Sequence, residues 1–141
     1  MYVAKSGKGV TRNGRPVEVS EPIETGNAII SYDTKKEWDA AFASGSIRVL
    51  QAVHDSRRTA SNLLDLCWVA AGSLDAMVDM RDILPVVHVS GTHMVQEAGG
   101  CILDKSGYRL CLPLDLNRRM SFVAASDEFL ARAILRAFHG E

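Results

Sequence analysis

The sequence predicts an α/β fold: a mixed sheet layered with helices and preceded by an N-terminal β-hairpin. Three observations lead there. From Asn27 onward, short apolar runs rich in β-branched residues alternate with longer helical patterns, as in strands with covering helices. The run Cys67-Trp68-Val69-Ala70-Ala71-Gly72-Ser73-Leu74-Asp75-Ala76 reads as a buried helix that stops at a glycine and feeds a strand. Gln96-Glu97-Ala98-Gly99-Gly100 reads as another helix that stops at a double glycine and feeds a hairpin.

The opening, Tyr2 to Ser20, is strand and turn. Asn13-Gly14 between alternating flanks signals a type I′ hairpin, whose two central residues need positive φ, and Pro16 is tolerable on an edge strand. A lone hairpin is marginal in water, so this one is expected to rest on a sheet. Ala28–Tyr32 follows as a buried strand. Asp33-Thr34 offers an N-cap for a helix through about Ala43, stopped by Gly45, and Ile47–Val53 reads as the next strand. A helix from about Thr59 to Ala71 carries Leu63, Leu64, Leu66, Cys67 and Ala70 on a wide apolar face, and Gly72 ends it. Asp75–Met80 is a short strand and Val89–Ala98 a helix. Strands Cys101–Asp104 and Tyr108–Cys111 flank the turn Lys105-Ser106-Gly107, and Ser121–Ala125 is a strand. Ser126 caps a last helix with Asp127 and Glu128 in its first turn, where the macrodipole favours acids, and Arg132 and Arg136 further along.

At 141 residues with 47% hydrophobic and 23% charged residues, the chain has the composition of an ordinary globular domain. A net charge of −1 without a block of like charges argues against nucleic acid as a partner. No apolar stretch approaches the eighteen or so residues that cross a bilayer, and no apolar core of a signal peptide follows Met1. No membrane partner is expected. The three cysteines, Cys67, Cys101 and Cys111, form no C-x-x-C pair and are read as reduced core thiols of a cytoplasmic protein.

Several segments resemble one family in order and spacing. Ala4, Gly7, Gly9, Asn13, Gly14, Val17, Val19 and Ser20 fit a strand pair of the form A-x-x-G-x-G-A-x-x-N-G-x-x-I-x-V-S. Arg57, then Ser61 to Cys67, then Val69-Ala70-Ala71-Gly72 with Asp75-Ala76 fit an arginine followed by a helix like G-S-A-A-L-x-L-C-x-V-A-x-G-x-x-D-A. Val78-Asp79-Met80-Arg81 is similar to V-D-V-R, and Glu97-Ala98-Gly99-Gly100 matches E-A-G-G. The chain thus resembles the C-terminal half of the inositol monophosphatase family, including its archaeal fructose-1,6-bisphosphatase branch. On that resemblance, residues 1–20 are a β-hairpin left from the family's first sheet and residues 21–141 its α/β C-terminal subdomain.

The resemblance implies a relation to magnesium-dependent sugar- and inositol-phosphate phosphatases. Those enzymes hold their ions with an upstream glutamate, a D-P-[IL]-D-G-T motif and a later aspartate, hard oxygen ligands suited to magnesium. The first two are not in this sequence. The third falls at Val87 counted back from Glu97, or at His88 counted forward from Asp79, and neither residue suits a hard ion. The expectation is a truncated, inositol monophosphatase-like chain that binds no metal and is inactive alone. The alternative is the C-terminal half of a split phosphatase completed by a separate N-terminal chain.

By the same resemblance, Asp79 occupies a position that hydrogen-bonds a substrate hydroxyl. Ser61 and Asn62 lie where a helix N-terminus faces substrate, suited to anions by its free amides. Arg57 could meet a phosphate, and without a ligand Asp79 reads as a strand-end carboxylate that faces solvent or pairs with Arg81. These residues, Asp79, Asn62, Ser61, Arg57 and Arg81, form the candidate site for a small phosphorylated ligand, with no catalytic residue assigned. His88, His93 and Glu97 invite a metal reading, but without an H-E-x-x-H pattern separate packing roles are preferred. Gly7-Lys8-Gly9 only imitates a phosphate loop, and Cys67 lacks a histidine to activate it. A homo-oligomer is expected through the N-terminal hairpin, whose open edge can template a second chain.

Overall fold

β-Branched runs and capped helices alternate to build a five-stranded sheet with helices on both faces and a smaller sheet beside it. The computed structural model describes residues 1–33, 39–84, 88–110 and 117–141. The smaller sheet is an antiparallel meander of β1 (Tyr2–Lys5), β2 (Gly9–Arg12) and β3 (Arg15–Val17). Asn13 and Gly14, at φ 52° and 78°, make the expected tight turn between β2 and β3.

The larger sheet contains β4 (Ile29–Asp33), β5 (Asp55–Arg57), β6 (Ala76–Ile83), β7 (Cys101–Asp104) and β8 (Met120–Ala125), in the order β5-β4-β6-β8-β7. β5, β4 and β6 run parallel, and β8 lies antiparallel between β6 and β7. The helices are α1 (Ala40–Ala52), α2 (Asn62–Ala70), α3 (Val89–Glu97) and α4 (Glu128–His139).

The strand period sorts side chains onto two cores. Ile30, Tyr32, Val78, Met80 and Val123 point to one face with Phe42 and Val49 of α1 and Leu130, Ile134 and Phe138 of α4. Met77, Phe122, Ala124 and Ile102 point to the other, with Leu66 and Val69 of α2 and Val95 of α3. Val10, Ala4, Val17 and Val19 join that second core, so the small sheet rests on helix α3 and not on another sheet as expected.

Residues that marked the family resemblance hold it there, and among them the Val19 N–H donates to the Ala98 carbonyl at 3.2 Å. Glu97 Oε2 accepts the Gly7 N–H at 2.8 Å. Asp75 accepts from the Ser20 hydroxyl at 2.7 Å and from the Ile29 N–H at 2.8 Å, and its backbone carbonyl accepts the Ser126 N–H at 2.9 Å. Gly100 is required by close approach: a Cβ there would lie 2.7 Å from the Ala125 carbonyl oxygen.

The segment expected as strand Ile47–Val53 is instead the second half of α1. Gly45 does not stop that helix; it is buried inside it, and a Cβ at Gly45 would sit 2.8 Å from the Phe138 ring and carbonyl. Phe42, Gly45, Ser46 and Val49 are buried at helical spacing, whereas Ile47 and Leu50 are exposed. The cap is Asp39, which accepts the Phe42 N–H at 2.7 Å; Asp33 ends β4, and the expected partner cap Thr34 lies outside the described residues.

Asp127, not Ser126, caps α4, accepting the Leu130 N–H at 2.8 Å. α2 begins at Asn62 because Thr59-Ala60-Ser61 form a turn in which Ala60 has φ 60°. This left-handed conformation costs a residue with a Cβ about 1–2 kcal/mol. The β7 turn is as read, with Asp104 N–H donating to the Tyr108 carbonyl at 2.8 Å, but of the strand expected over Tyr108–Cys111 the described residues 108–110 form only an isolated bridge, Arg109 to Leu103, and Cys111 lies outside the described residues. Cys67 and Cys101 are free buried thiols, and burial raises the pKa of both. Among the described residues no helix is long and apolar enough to cross a membrane.

Candidate functional site

β4 connects through α1 to β5 on one side, whereas β6 leads toward β8 and β7 on the other. Their helices cover opposite faces of the sheet. The carboxyl ends of β4 and β6 therefore flank a topological switch point, the usual ligand crevice of a parallel sheet. A cavity of about 460 Å³ opens there, lined by Asp33, Arg58, Ser61, Asn62, Leu63 and Arg81 among others.

Asp33 and Asp79 are register partners on the two strands, and both are fully buried. Two adjacent buried carboxylates repel, and Arg81 neutralises them. Its Nε donates to Asp79 Oδ1 at 2.9 Å, and its Nη2 reaches Asp79 Oδ2 at 2.5 Å and Asp33 Oδ2 at 3.1 Å. The Arg81 pKa is raised, first by its hydrogen bond to Asp79. Asn62 completes the set: its amide donates to Asp79 Oδ2 at 2.8 Å while its oxygen accepts from Arg81 at 3.1 Å. At the mouth, the half-exposed Arg58 donates through Nε to Asp33 Oδ1 at 3.1 Å.

The turn carrying Arg58 is held from beneath. Asp65, fully buried in the first turn of α2, accepts from the Ser31 hydroxyl at 2.6 Å and the Thr59 hydroxyl at 2.8 Å. Ser61 caps α2, its oxygen accepting the Leu64 N–H at 3.4 Å. The structure thus brings together Asp79, Asn62, Ser61 and Arg81 of the residues singled out from sequence. Arg57 lies elsewhere: it turns out to the surface and pairs with Asp55.

Asp33, Arg58 and Asp65 were not singled out. Asp33 read as a helix cap, and the neighbouring Arg57 drew the motif match. Asp65 carried a signal, an acid in the run Leu63-Leu64-Asp65-Leu66, where burial demands partners.

His88, His93 and Glu97 do not converge. Glu97 is tied to Gly7 as described. His88 is buried with its ring 4.9 Å from that of Phe122, and neither ring nitrogen has a partner among the described residues. Burial lowers its pKa against a smaller opposing pull from Asp79. An unfolded histidine takes up its proton near pH 6.5, so unfolding binds a proton that the folded state refuses below that value. His88 therefore makes stability fall as pH drops below the ordinary histidine range. His88→Leu should raise the urea midpoint by an amount worth about 1–3 kcal/mol. The gain should be larger at about pH 5 than at about pH 8, and an equal midpoint at both would refute a buried, unpaired imidazole.

Comparison with known proteins places these observations. The sequence profile described as the inositol monophosphatase family matches residues 1–141. The chain is 30% identical over 141 residues to a fructose-1,6-bisphosphatase/inositol-1-monophosphatase of Thermococcus kodakarensis, covering 99% of this chain and 52% of that protein. It is 31% identical over 146 residues to inositol monophosphatase 2 of Homo sapiens, covering 97% and 47%. Its fold is similar to a hypothetical Pyrococcus horikoshii protein with similarities to inositol-1 monophosphatase. That match has TM-score 0.82 and 29% identity, over 96% of this chain and 51% of the other. The chain spans about half the length of the curated relatives it matches.

Proposed function

Because the chain belongs to the inositol monophosphatase family, we propose that its cleft is one wall of a phosphate-ester site that binds a sugar or inositol phosphate, and that residues 1–141 alone do not hydrolyse it. The observation that carries this reading is the buried cluster of Asp33, Arg81, Asp79 and Asn62.

Magnesium, which the family resemblance implies, takes several oxygen ligands in near-octahedral geometry. Both buried carboxylates here are already engaged by a guanidinium, and Asp79 by an amide as well. Among the described residues no group of three or more His, Cys, Asp or Glu side chains is placed to hold an ion. His88, at one of the two positions expected for the later aspartate, packs on Phe122. The donor set does not fit magnesium, and no chemical step is assigned to it.

What remains suits binding. Arg58 is half-exposed at the mouth, where its planar fork can meet a phosphoryl group. The free amides at the start of α2 favour the same charge. Asp79 accepts a ligand hydroxyl only where Asn62 or Arg81 yields. Self-association along the unpaired edges of β1 and β3 belongs to the same proposal.

The purified chain with magnesium should release no phosphate above background from inositol monophosphate or fructose bisphosphate. Turnover above background that EDTA abolishes would overturn the reading. A second reading is a split phosphatase. It is favoured by Leu63 and Leu64, 44% and 39% exposed at the start of α2 beside the cleft. Under that reading, adding a separate chain with a D-P-x-D-G-T stretch produces EDTA-sensitive turnover.

A further inference from the structure

A second cavity, of about 540 Å³, lies between the β7 turn and the last turns of α4, on the face of the large sheet that α1 and α4 cover. Its lining includes Lys105, Gly107, Arg132, Arg136 and His139, with Glu141 the one carboxylate side chain among the lining residues. The family motifs and the cleft between β4 and β6 use none of these.

Basic residues near a helix C-terminus ordinarily answer its macrodipole. Here that need is already met. Arg48 of α1 donates to the Ala137 carbonyl at 2.9 Å and to the Phe138 carbonyl at 2.6 Å. Gly140, at φ 81°, closes the helix by donating its N–H to the Arg136 carbonyl at 2.8 Å. Arg132 is engaged by Glu128 through Nε at 2.8 Å and Nη2 at 2.6 Å. Lys105 and Arg136 have no carboxylate partner among the described residues; the Lys105 ammonium sits 5.8 Å from the centroid of the Phe138 ring, which is outside the cavity lining, and reaches the cavity by swinging away from that ring.

The walls are also fixed in place. His139 Nε2 is hydrogen-bonded to the Lys105 carbonyl at 2.9 Å, and Arg132 Nη1 donates to the Gly107 carbonyl at 3.4 Å. These two bonds lock the turn to the helix, so the concavity exists before any ligand arrives. Its volume falls in the range of about 300–1,000 Å³ typical of small-molecule sites.

We propose that this cavity is a binding site for a small, multiply charged phosphate compound, held by Lys105 and Arg136 with Arg132 at its edge. A guanidinium fork matches two phosphoryl oxygens, and an ammonium adds a point charge beside it. The overall charge of −1 and the small extent of the patch favour a compact anion over a polynucleotide, whose binding needs many neutralised phosphates.

The test is a titration of the isotope-labelled chain with inorganic pyrophosphate, followed by amide NMR shifts. Saturable shifts should appear at Ser106, Gly107, Arg136 and Gly140, and weaken as salt is raised. The double variant Lys105→Gln, Arg136→Gln should bind about tenfold or more weakly. Its stability should fall by no more than about 1 kcal/mol, the worth of the Lys105–Phe138 contact, since neither side chain has an ionic partner to lose. Absence of saturation, shifts confined to Arg58, Asn62 and Arg81, or unchanged affinity in the double variant would each overturn the proposal. So would a DNA or RNA oligonucleotide that shifts the same amides at lower concentration than pyrophosphate.

Discussion

Replacing Arg81 by methionine is expected to cost about 3–5 kcal/mol of folding stability at neutral pH, because it leaves the buried Asp79 without its cation. The guanidinium is 21% exposed and is what separates Asp33 from Asp79, two buried carboxylates that face each other across the β4–β6 ladder. Without it, the two carboxylates stay against each other with only Arg58 on Asp33 and the Asn62 amide on Asp79. Urea melts at neutral pH measure this. Adding Asp79→Asn to Arg81→Met removes the repulsion and should recover most of the loss at neutral pH. A deficit below about 1 kcal/mol for the single variant would mean that the carboxylates are solvated rather than buried.

Gly91→Val carries the second large effect. A Cβ on Gly91 would stand 2.6 Å from both Cβ and Cδ1 of Leu66, so α2 and α3 could not keep their present approach. The Leu66 Cβ is fixed to its backbone and cannot swing aside. Leu66 in turn belongs to the core that contains Val69, Val95 and Phe122. Overpacking of this kind costs about 1–3 kcal/mol, and the branched side chain at a helical position puts valine at the upper end. Gly26→Val is the control, since nothing lies within 4 Å of a Cβ there. It should shift the melt by no more than about 0.5 kcal/mol. Leu66→Ala should not rescue Gly91→Ala, because alanine keeps the Cβ that a Gly91 Cβ would meet at 2.6 Å, so the double variant should melt below Leu66→Ala alone. Equal destabilisation by Gly91→Val and Gly26→Val would refute the close approach.

How much of this was legible in the sequence depends on what each residue is for. Gly72, Asp75, Glu97 and Gly100 announced the family, and the structure uses them at joints. Gly72, at φ 67°, leaves room for the Glu18 carbonyl, while Glu97 ties the small sheet to α3 and Asp75 ties Ser20 to the large sheet. Such residues are readable because geometry admits few substitutes. Asp79, Asn62 and Arg81 were found through motif position and do meet. Asp33 and Arg58 escaped because each had a locally sufficient explanation, a helix cap and half of an arginine pair.

The misreading of α1 has a similar source. Gly45 looked like punctuation, yet its role is set by Phe138, ninety-three positions later in the chain, and Ile47-Arg48-Val49-Leu50 alternates like a strand when read alone. Local pattern could not reveal a partner so distant.

Asp75 has one more consequence. Its carboxylate and main chain engage Ser20, Ile29 and Ser126, three stretches of chain that are remote in sequence. Ser20, just past the meander, is therefore joined through Asp75 to the large sheet, which couples the two. Unfolding there is expected as a single concerted transition and not as stepwise peeling.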